Sequence, residues 1–220
     1  MIVITGASEG LGEALAKLYK EAGKKVVNVS RKECKYADVN ICLSLCEGVD
    51  IEKAAQSINE IDDTLEAIVH NAGVASIQPF GEIEESEVER LLSTNVKSQI
   101  LLTSNLIDRI RKDATDLLCV SSTLGMKGRK DWSVYSASKW AVRGLAQSLQ
   151  DEFANSPNRV ISFVPGGMAS KNVENFNGKK LADPENWMNV NDMAMFMKQI
   201  LDLPKNMQVT EVVIDRKVSV

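Results

Sequence analysis

The sequence TGASEGLGEA at residues 5–14 carries two overlapping patterns, and each predicts a different chemistry. Its G-A-S-E-G portion matches G-x-S-x-G, in which the serine, here Ser8, can be the nucleophile of a hydrolase. Its three glycines, Gly6, Gly10 and Gly12, follow an apolar run and lead into a helical pattern. That second arrangement is typical of a loop that binds a phosphate group.

The phosphate-binding interpretation of this glycine loop fits the rest of the chain better. A serine hydrolase needs a histidine base and an oxyanion loop from an earlier strand. The chain has one histidine, His70, and a single short strand pattern precedes Ser8. In a dinucleotide-binding loop Gly6 allows a tight turn, Gly10 lets the backbone approach a pyrophosphate, and Gly12 lets the helix pack closely on the sheet. Three residues separate the first two glycines, which departs from the spacing G-x-G-x-x-G.

Four further stretches could contribute to the same site. Tyr135 and Lys139 are four residues apart in a helical pattern, so both side chains lie on one face and can reach a shared group. Ser122 directly follows the strand pattern before that helix, and Asn71 follows an earlier strand pattern. Asn95 ends a polar S-T-N trio that interrupts an apolar helix, where such residues compete with the helix backbone for hydrogen bonds. Residues that conflict with their local secondary structure in this way often mark a functional site.

Strand and helix patterns alternate along the chain. Apolar runs rich in β-branched residues predict strands at 2–5, 26–29, 41–45, 65–70, 117–121, 160–164 and 209–214. Apolar periodicity predicts a helix from the glycine loop to a stop at Gly23, and further helices at 51–61, 85–111, 134–155 and 191–202. Near-continuous hydrophobicity indicates strands covered on both faces. We therefore expect an α/β fold: one domain over residues 1–220, with a doubly wound parallel sheet of about seven strands flanked by helices.

The composition is that of an ordinary globular protein, with 44% hydrophobic and 25% charged residues and a formal net charge of −4. No block of basic residues stands out, so we expect no nucleic-acid partner. No apolar run reaches the roughly 18 residues of a membrane span, and Met1 leads into a strand pattern without a charged leader.

The four cysteines, Cys34, Cys42, Cys46 and Cys119, form no C-x-x-C pair, so we expect reduced thiols, no metal site and a cytoplasmic location.

Taken together, these motifs resemble those of the short-chain dehydrogenase/reductase family, and the resemblance covers essentially the whole chain. The matching motifs, in chain order, are Thr5-Gly6-x-x-x-Gly10-x-Gly12, Asn71-Ala72-Gly73, Asn95, Ser122, Tyr135-x-x-x-Lys139 and Pro165-Gly166. Each motif alone is weak, whereas six in the family's order and spacing form a specific signal. The resemblance implies a Rossmann-type fold and hydride transfer between a nicotinamide cofactor and a carbonyl or alcohol carbon.

By this resemblance, four residues are catalytic. Tyr135 gives a proton to the carbonyl oxygen in reduction and removes it in oxidation, and Ser122 hydrogen-bonds and polarises the same oxygen. A phenol has an ordinary pKa of about 10, so a value near 7 needs a shift of about 3 units. The charge of Lys139 can supply much of that shift. In the family this lysine also holds the nicotinamide ribose, and Asn95 holds a water that links Lys139 to solvent.

The resemblance also implies where a dinucleotide binds. The expected cofactor-binding residues are Thr5, Gly6, Ser8, Gly10, Leu11, Gly12, Arg31, Asn71, Ala72, Gly73, Tyr135, Lys139, Pro165, Gly166, Met168 and Ser170. An acidic residue after the second strand favours NAD, whereas an arginine there favours the 2′-phosphate of NADP. Here Ser30 and Arg31 follow that strand, and a guanidinium suits a phosphate. Glu9 argues the other way, because NADP-preferring relatives often have a basic residue at its position. We expect NADP to be preferred, with NAD possible.

Substrate specificity in this family comes mainly from the segment after Pro165-Gly166, here a short lid at about 167–190 with scattered apolar residues. Met168 and Ser170 should touch the nicotinamide end of the cofactor. We therefore expect a small or moderately apolar carbonyl or alcohol substrate. Helices at 98–112 and 134–155 commonly form subunit interfaces in the family, so we expect a homodimer or homotetramer.

Two other functions are alternatives to this one. The main alternative is a non-catalytic NADP-binding redox sensor of the same fold. Such proteins usually lose the tyrosine or the lysine, whereas Tyr135 and Lys139 are both present. Nucleotide-sugar epimerisation fits less well, because those chains usually carry a substantial C-terminal sugar-binding domain. We expect His70 to be a packed or hydrogen-bonded residue and not an acid or base.

Overall fold

A parallel sheet of seven strands forms the centre of the protein. The computed structural model describes residues 1–169 and 187–217, and these residues form nine strands. In chain order the strands are β1 (Ile2–Thr5), β2 (Val26–Ser30), β3 (Val39–Cys42), β4 (Ala67–His70), β5 (Asp116–Val120), β6 (Val160–Pro165), β7 (Met168–Ala169), β8 (Met188–Asn189) and β9 (Glu211–Ile214). The large sheet has the order β3-β2-β1-β4-β5-β6-β9, and all its neighbouring strands are parallel. Strands β7 and β8 pair separately.

Helices connect the strands and cover both faces of the sheet. In chain order they are α1 (Gly10–Glu21), α2 (Gly48–Asn59), α3 (Glu85–Leu92), α4 (Ser98–Asn105), α5 (Ile107–Asp113), α6 (Ser133–Glu152) and α7 (Val190–Leu201). A π-helical stretch, Ser93–Lys97, joins α3 to α4, and 3₁₀ turns lie at Phe80–Glu82 and Thr123–Gly125. Helices α1 and α7 pack together on one face, and α2 packs with α4 on the other.

The two faces of the sheet bury alternate residues of each strand, as pleated geometry requires. In β1, Val3 packs into the cluster under α2, α4, α5 and α6, whereas Ile2 and Ile4 pack against α1 and α7. Strands β1, β2 and β6 are buried along their full lengths. Their near-continuous apolar sequences follow from this burial, and the doubly wound α/β fold predicted from them is confirmed.

The order of the strands reverses between β1 and β4. Strand β1 pairs with β2 on one side, through Thr5 and Val29, and with β4 on the other, through Ile4 and Val69. The chain builds one half of the sheet outward through β2 and β3, and then returns to build the other half from β4. The loops after β1 and β4 therefore run apart, and an open α/β sheet binds its ligands in the crevice formed at such a point.

Several predicted boundaries differ from the structure by up to three residues, and two elements differ for a clear physical reason. The strand predicted at 41–45 ends at Cys42, because its register partner on β2 is Ser30, the last residue of that strand. The single helix predicted at 85–111 is divided into α3, the π-helical stretch, α4 and α5. The π-helical stretch begins with the polar trio Ser93–Asn95. The side chains of Thr94 and Asn95 bond to groups outside this helix, namely Cys46, Val74 and Ser138.

Among the described residues, no helix is long and apolar enough to cross a membrane. The same residues contain no group of three or more His, Cys, Asp or Glu side chains that could hold a metal ion. The four cysteines are free thiols, as expected, and Cys34 and Cys119 are buried.

Candidate active site

The glycine loop between β1 and α1 is shaped for a ligand that approaches the backbone closely. Gly6 and Gly10 have φ angles of 68° and 60°, in the left-handed region that favours glycine. A Cβ on Gly12 would lie 2.4 Å from the Gly6 carbonyl oxygen, so only glycine allows α1 to begin this close to the loop. The N-cap residue of α1, Glu9, makes no side-chain cap hydrogen bond. No capping side chain therefore competes with an anion for the first N–H groups of α1.

Thr5 and Asn71 join the glycine loop to the turn after β4. The Thr5 hydroxyl accepts hydrogen bonds from the backbone N–H groups of Asn71 and Ala72, both at 3.0 Å. In return, the Asn71 side-chain amide donates to the carbonyl oxygens of Thr5 at 3.1 Å and Gly6 at 3.2 Å. These reciprocal bonds hold the loops on the two sides of the crevice as one unit.

Lys139 extends from α6 to the end of β5 and is almost fully buried. Its Nζ donates to the Val120 carbonyl oxygen at 2.9 Å and lies 5.7 Å from the centre of the Tyr135 ring. Only 3% of Lys139 is exposed, and this burial lowers its pKa to about 8. A Cβ on Gly73 would lie 3.4 Å from Nζ, so the absence of a side chain at Gly73 leaves room beside the amine.

Tyr135 lies one helical turn before Lys139, and its ring forms a T-shaped pair with the Trp132 ring at a centroid distance of 5.6 Å. The Ser122 side chain lies close enough to interact with the Tyr135 hydroxyl, and the Ser122 Oγ accepts from the Leu124 N–H at 3.2 Å. Burial raises the pKa of Tyr135 to about 12, and the interaction with Ser122 acts in the opposite direction. The sequence predicts that the charge of Lys139 supplies much of a shift toward 7, whereas burial is the largest effect on this pKa in the structure.

Asn95 lies in the π-helical stretch and is fully buried. Its Oδ1 accepts from the Val74 N–H at 2.8 Å, while its Nδ2 donates to the Val74 carbonyl at 2.8 Å and to the Ser138 hydroxyl at 2.9 Å. A Cβ on Gly73 would also lie 3.5 Å from Oδ1, so Asn95 and Lys139 both border Gly73. The π-helical turn thus carries a side chain that joins α6 to the turn after β4, and such turns are frequent at functional sites.

The loop after β2, which carries Arg31, is ordered by buried polar side chains. The Asn28 amide donates to the Lys32 carbonyl oxygen at 2.9 Å, and the Ser30 hydroxyl donates to the same oxygen at 2.6 Å. Asn28 Oδ1 accepts from the Ala7 N–H at 3.1 Å, which links this loop to the glycine loop. The backbone around Arg31 is therefore held beside the glycine loop, while the Arg31 side chain is exposed.

The end of β6 lies at the same edge of the sheet as the glycine loop. Pro165 is buried as the last residue of β6, and the Gly166 N–H donates to the Ile214 carbonyl at 2.7 Å. Met168 lies in β7, which pairs with β8 and so brings together the two ends of the segment predicted as a lid. Ser170 and the rest of that segment, to residue 186, lie outside the described residues.

The remaining predicted residues of the glycine loop also border this edge of the sheet. Ser8 is half-buried within the loop, and Leu11 is buried in the first turn of α1. Two groups that the motifs did not identify complete the arrangement, namely the Val120 carbonyl that holds Lys139 and the Ser138 hydroxyl that holds Asn95. The position of Val120 at a strand end is a usable signal in the sequence, whereas the Ser138 contact joins segments far apart in the chain.

His70 is packed and hydrogen-bonded, as expected. Its Nε2 lies 2.9 Å from the Thr103 hydroxyl oxygen, and only 1% of the residue is exposed. Burial lowers the pKa of His70 to about 4, so the ring is neutral at physiological pH. It supplies neither charge nor a titrating group to the site.

The arrangement can bind an anionic dinucleotide and move a proton beside it. An uncapped helix N-terminus lies next to a loop whose glycines leave room for backbone approach. A phenol, a hydroxyl and a buried amine lie at the same edge of the sheet. These are the features that a nicotinamide dinucleotide and a carbonyl oxygen require.

Comparisons with known proteins identify the family of the chain. The family model for short chain dehydrogenases matches residues 1–181. The uncharacterised oxidoreductase YciK of Escherichia coli strain K12 is 31% identical over 184 residues, which cover 76% of this chain and 73% of that protein.

Two solved structures share the fold. A serine dehydrogenase complexed with NADP+ superposes with a TM-score of 0.87 at 20% identity, covering 97% of this chain and 94% of that one. The 3-ketoacyl-(acyl-carrier-protein) reductase from Brucella melitensis, complexed with NADH, superposes with a TM-score of 0.86 at 22% identity, covering 97% and 96%. From the family match and the identity to YciK, the chain belongs to the short-chain dehydrogenase family of NAD(P)-dependent dehydrogenases and reductases.

Proposed function

We propose that this protein is an NADP-preferring oxidoreductase that transfers a hydride between the nicotinamide ring and a carbonyl or secondary-alcohol carbon. One observation carries the proposal: the Tyr135 phenol, the Ser122 hydroxyl and the Lys139 amine lie at the same edge of the sheet as the glycine loop. Hydride addition to a carbonyl carbon leaves negative charge on the oxygen. A proton donor beside the dinucleotide site is therefore what the reaction needs.

Residues from three loops would hold the dinucleotide. The N-terminus of α1, with Gly10 and Gly12, suits the pyrophosphate, and the turn at Asn71 would border the cofactor from the other side of the crevice. Lys139 would bind the nicotinamide ribose, as the family resemblance implies. When bound, the nicotinamide supplies or accepts the hydride. The side chains of this protein orient the two reactants and handle the proton.

Tyr135 is the proton donor in the reductive direction. Because its pKa is about 12, the phenol is protonated at neutral pH and can donate to a substrate oxygen that gains charge. The Lys139 ammonium group, 5.7 Å from the centre of the ring, then stabilises the phenolate that remains. Alcohol oxidation uses the same residue as a base, so it requires the phenol to lose its proton first.

Ser122 and Asn95 support this transfer in different ways. The Ser122 hydroxyl lies near that of Tyr135, so a substrate oxygen placed between them would meet two hydrogen-bond donors. Asn95 keeps the region beside Gly73 and Lys139 polar. We propose that a water molecule bound there relays protons from solvent to Lys139.

The preference for NADP is supported by the loop after β2. Where an NAD enzyme of this fold has an acidic residue, this chain has Ser30, and its hydroxyl is already bonded to the Lys32 carbonyl. Arg31 follows on a backbone that Asn28 ties to the glycine loop. A guanidinium placed there can form paired hydrogen bonds with a 2′-phosphate.

The substrate and the assembly complete the proposal. We expect a small or moderately apolar carbonyl compound or alcohol, bound under a lid at 167–190 of a single domain spanning residues 1–220. We also propose a cytoplasmic homodimer or homotetramer. The helices at 98–112 and 134–155 would form the interface, and Ile100 and Trp140 on these helices are 43% and 50% exposed.

The test is an NADPH-oxidation screen against aldehydes, ketones and 3-oxoacyl thioesters, run with Y135F. We expect turnover of at least one class, with Y135F slower by about 10²–10⁴-fold because the proton donor is lost. NADPH binding to Y135F, followed by cofactor fluorescence, should be retained.

Tyr36 supplies the control for this screen. It is a half-buried tyrosine outside the catalytic group, with the Lys35 amine 4.9 Å from its ring centre, and Y36F should keep full turnover. Full activity in Y135F would refute the assignment. NADPH binding without turnover on any substrate would favour the redox-sensor alternative.

A further inference from the structure

Arg143 links the catalytic helix to two other parts of the molecule. It lies one turn after Lys139 on α6, and its side chain is 15% exposed. Its Nη1 donates to the Gly125 carbonyl oxygen at 2.8 Å, while Nε and Nη2 donate to the two carboxylate oxygens of Glu211, each at 2.8 Å. Glu211 also accepts from the Ser162 hydroxyl at 3.0 Å. One guanidinium therefore joins α6 to the turn after β5 and to strand β9.

Gly125 ends the 3₁₀ turn that Ser122 begins. The Gly125 N–H donates to the Ser122 carbonyl oxygen at 2.7 Å, and the Ser122 hydroxyl accepts from the Leu124 N–H within the same turn. Gly125 also packs against α6, since a Cβ added to it would lie 2.7 Å from the Lys139 carbonyl oxygen. The contact of Gly125 with α6 is therefore one link between the turn that carries Ser122 and the helix that carries Tyr135.

We propose that Arg143 is a positioning residue that keeps the Ser122 hydroxyl within reach of Tyr135 by holding the Gly125 carbonyl against α6. The inference rests on the proposed function, because it concerns the geometry of the same proton-transfer site. Arg143 acts through Gly125 and Ser122, and it is not among the residues proposed to touch substrate or cofactor.

A guanidinium is suited to this role by its shape. Its donors are fixed in one plane, so Nη1 can hold a carbonyl while Nε and Nη2 bind both oxygens of a carboxylate. The Arg143 hydrogen bond lowers the pKa of Glu211, which keeps the pair ionised. The Trp140 ring lies beside the guanidinium, with its centroid 5.6 Å from Cζ. A lysine at this position could hold one of the two partners but not both.

Arg109 provides a matched control at the other end of the sheet. Its side chain is also 15% exposed and also bonds a carboxylate, that of Asp113, at 2.8 Å. It donates as well to the backbone carbonyls of Asn59 at 3.1 Å and Ile61 at 3.2 Å. These partners precede β4, away from the carboxyl ends of the strands, so R109M should lower stability without changing the catalytic geometry.

The first experiment compares R143M with R109M by steady-state kinetics, at a temperature where circular dichroism shows both to be folded. For R143M we expect kcat for carbonyl reduction to fall by about tenfold or more, because small misplacements of catalytic groups are costly. The KM for NADPH should change by less than about threefold, since the cofactor loops are untouched. R109M should keep both parameters.

The double variant R143M/E211M separates the effect of leaving Glu211 unpaired from the effect of releasing the Gly125 carbonyl. R143M alone leaves the Glu211 carboxylate without its partner, which destabilises the fold. The double variant removes that carboxylate, so its melting temperature should rise above that of R143M. Its kcat should stay low, because the Gly125 carbonyl is still not held. R143K, which retains one contact, should have an intermediate kcat.

Three results would overturn the proposal. They are a kcat of R143M within twofold of the wild type, an equal loss of kcat in R109M, and full recovery of kcat in R143M/E211M. An inactive wild-type protein would instead refute the proposed function, and this inference with it. The two failures are distinguishable, because the activity of the wild-type protein is measured before any variant is made.

Discussion

Lys139 and Tyr135 are both shifted toward their neutral forms, and burial is the main cause in each case. The pKa of Lys139 falls to about 8 and that of Tyr135 rises to about 12. At neutral pH the pair therefore consists of a protonated phenol and an amine that still carries its charge. This is the protonation state that the proposed carbonyl reduction needs, because the phenol would donate and the ammonium group would stabilise the phenolate.

The lowered pKa of Lys139 predicts the pH dependence of reduction. Below about pH 8 the amine is charged, as its proposed roles toward the cofactor ribose and the phenolate require, and above about pH 8 that charge is lost. We expect kcat/KM for NADPH, which reports the free enzyme, to be level near neutral pH and to fall as the pH rises through about 8. Initial rates at saturating carbonyl substrate measure this. A profile that rises through the same range would contradict the assignment.

His70 predicts how the stability of the fold depends on pH. Its pKa is about 4 in the folded protein and about 6.5 when unfolded, so the unfolded state binds more protons between these values. The stability is full above pH 6.5 and falls as the pH drops toward 4. At pH 5 the loss due to His70 is about 2 kcal/mol.

The variant H70Q tests this prediction, because glutamine can still bond Thr103 but does not titrate. The difference in the free energy of unfolding between pH 7 and pH 5, measured by urea denaturation, should be smaller in H70Q than in the wild type. Equal differences in the two proteins would show that His70 does not govern this loss.

The start of α1 predicts a contrast between two helix-terminal glycines. A Cβ on Gly12 would lie 2.4 Å from the Gly6 carbonyl oxygen and 2.6 Å from the Asn71 amide nitrogen, so G12A forces the glycine loop and the Asn71 turn apart. A Cβ on Gly48, in the first turn of α2, would meet no atom within 4 Å. We expect G12A to lose about 1–3 kcal/mol of stability through overpacking.

The same contrast should appear in cofactor binding. G12A should bind NADPH far more weakly, whereas G48A should bind it normally and gain up to about 1 kcal/mol of stability, since alanine is a better helix former. Thermal melts with and without NADPH measure both effects. Normal NADPH binding by G12A would contradict the proposed cofactor position.

The sequence predicted the elements well where a local pattern determined them. The strands β1, β2 and β6 are buried on both faces, and the continuous apolar runs in their sequences predict that burial. Helix α1 follows its apolar periodicity. The helix at 85–111 was predicted as one piece because its apolar pattern continues across the π-helical stretch, although the Ser93–Asn95 trio signalled a disturbance there.

The contacts that hold the site together could not be predicted in the same way. The Thr5 hydroxyl bonds to the turn after β4, Asn28 bonds to Ala7, and Arg143 bonds to Glu211. Each of these joins segments that are distant in the sequence, and no periodicity specifies the partner. The pKa of Tyr135 was predicted in the wrong direction for a related reason, because burial depends on the packing of the whole site.

At the scale of the whole molecule, the proposed dinucleotide site draws on both halves of the sheet. The loops after β1 and β2 come from one half and the loops after β4, β5 and β6 from the other. A ligand that binds these loops only in the folded state stabilises the entire fold, by an amount that grows with its concentration relative to its Kd. Unfolding midpoints measured with NADPH and with NADH therefore report cofactor preference without requiring a known substrate.

The variant R31D tests whether Arg31 causes the difference in affinity between NADPH and NADH by binding the 2′-phosphate. In R31D a carboxylate replaces the guanidinium, so repulsion replaces attraction for that phosphate, while an acidic residue near this position can bond the ribose hydroxyl of NADH. Hydrogen bonds to charged groups contribute about 1.5–3 kcal/mol, so we expect NADPH to bind about 10- to 100-fold more weakly. NADH binding should be unchanged or tighter.

R111D is the control, because Arg111 is an exposed arginine on α5, paired with Glu152 at 2.9 Å. Both substitutions change the net charge equally, so a general electrostatic effect on a dinucleotide would appear in both. If NADPH binding weakens equally in R111D and R31D, or if R31D leaves the ratio of NADPH to NADH affinity unchanged, then Arg31 does not read the 2′-phosphate. A selective loss in R31D would instead assign cofactor preference to the loop that Asn28 holds against the glycine loop.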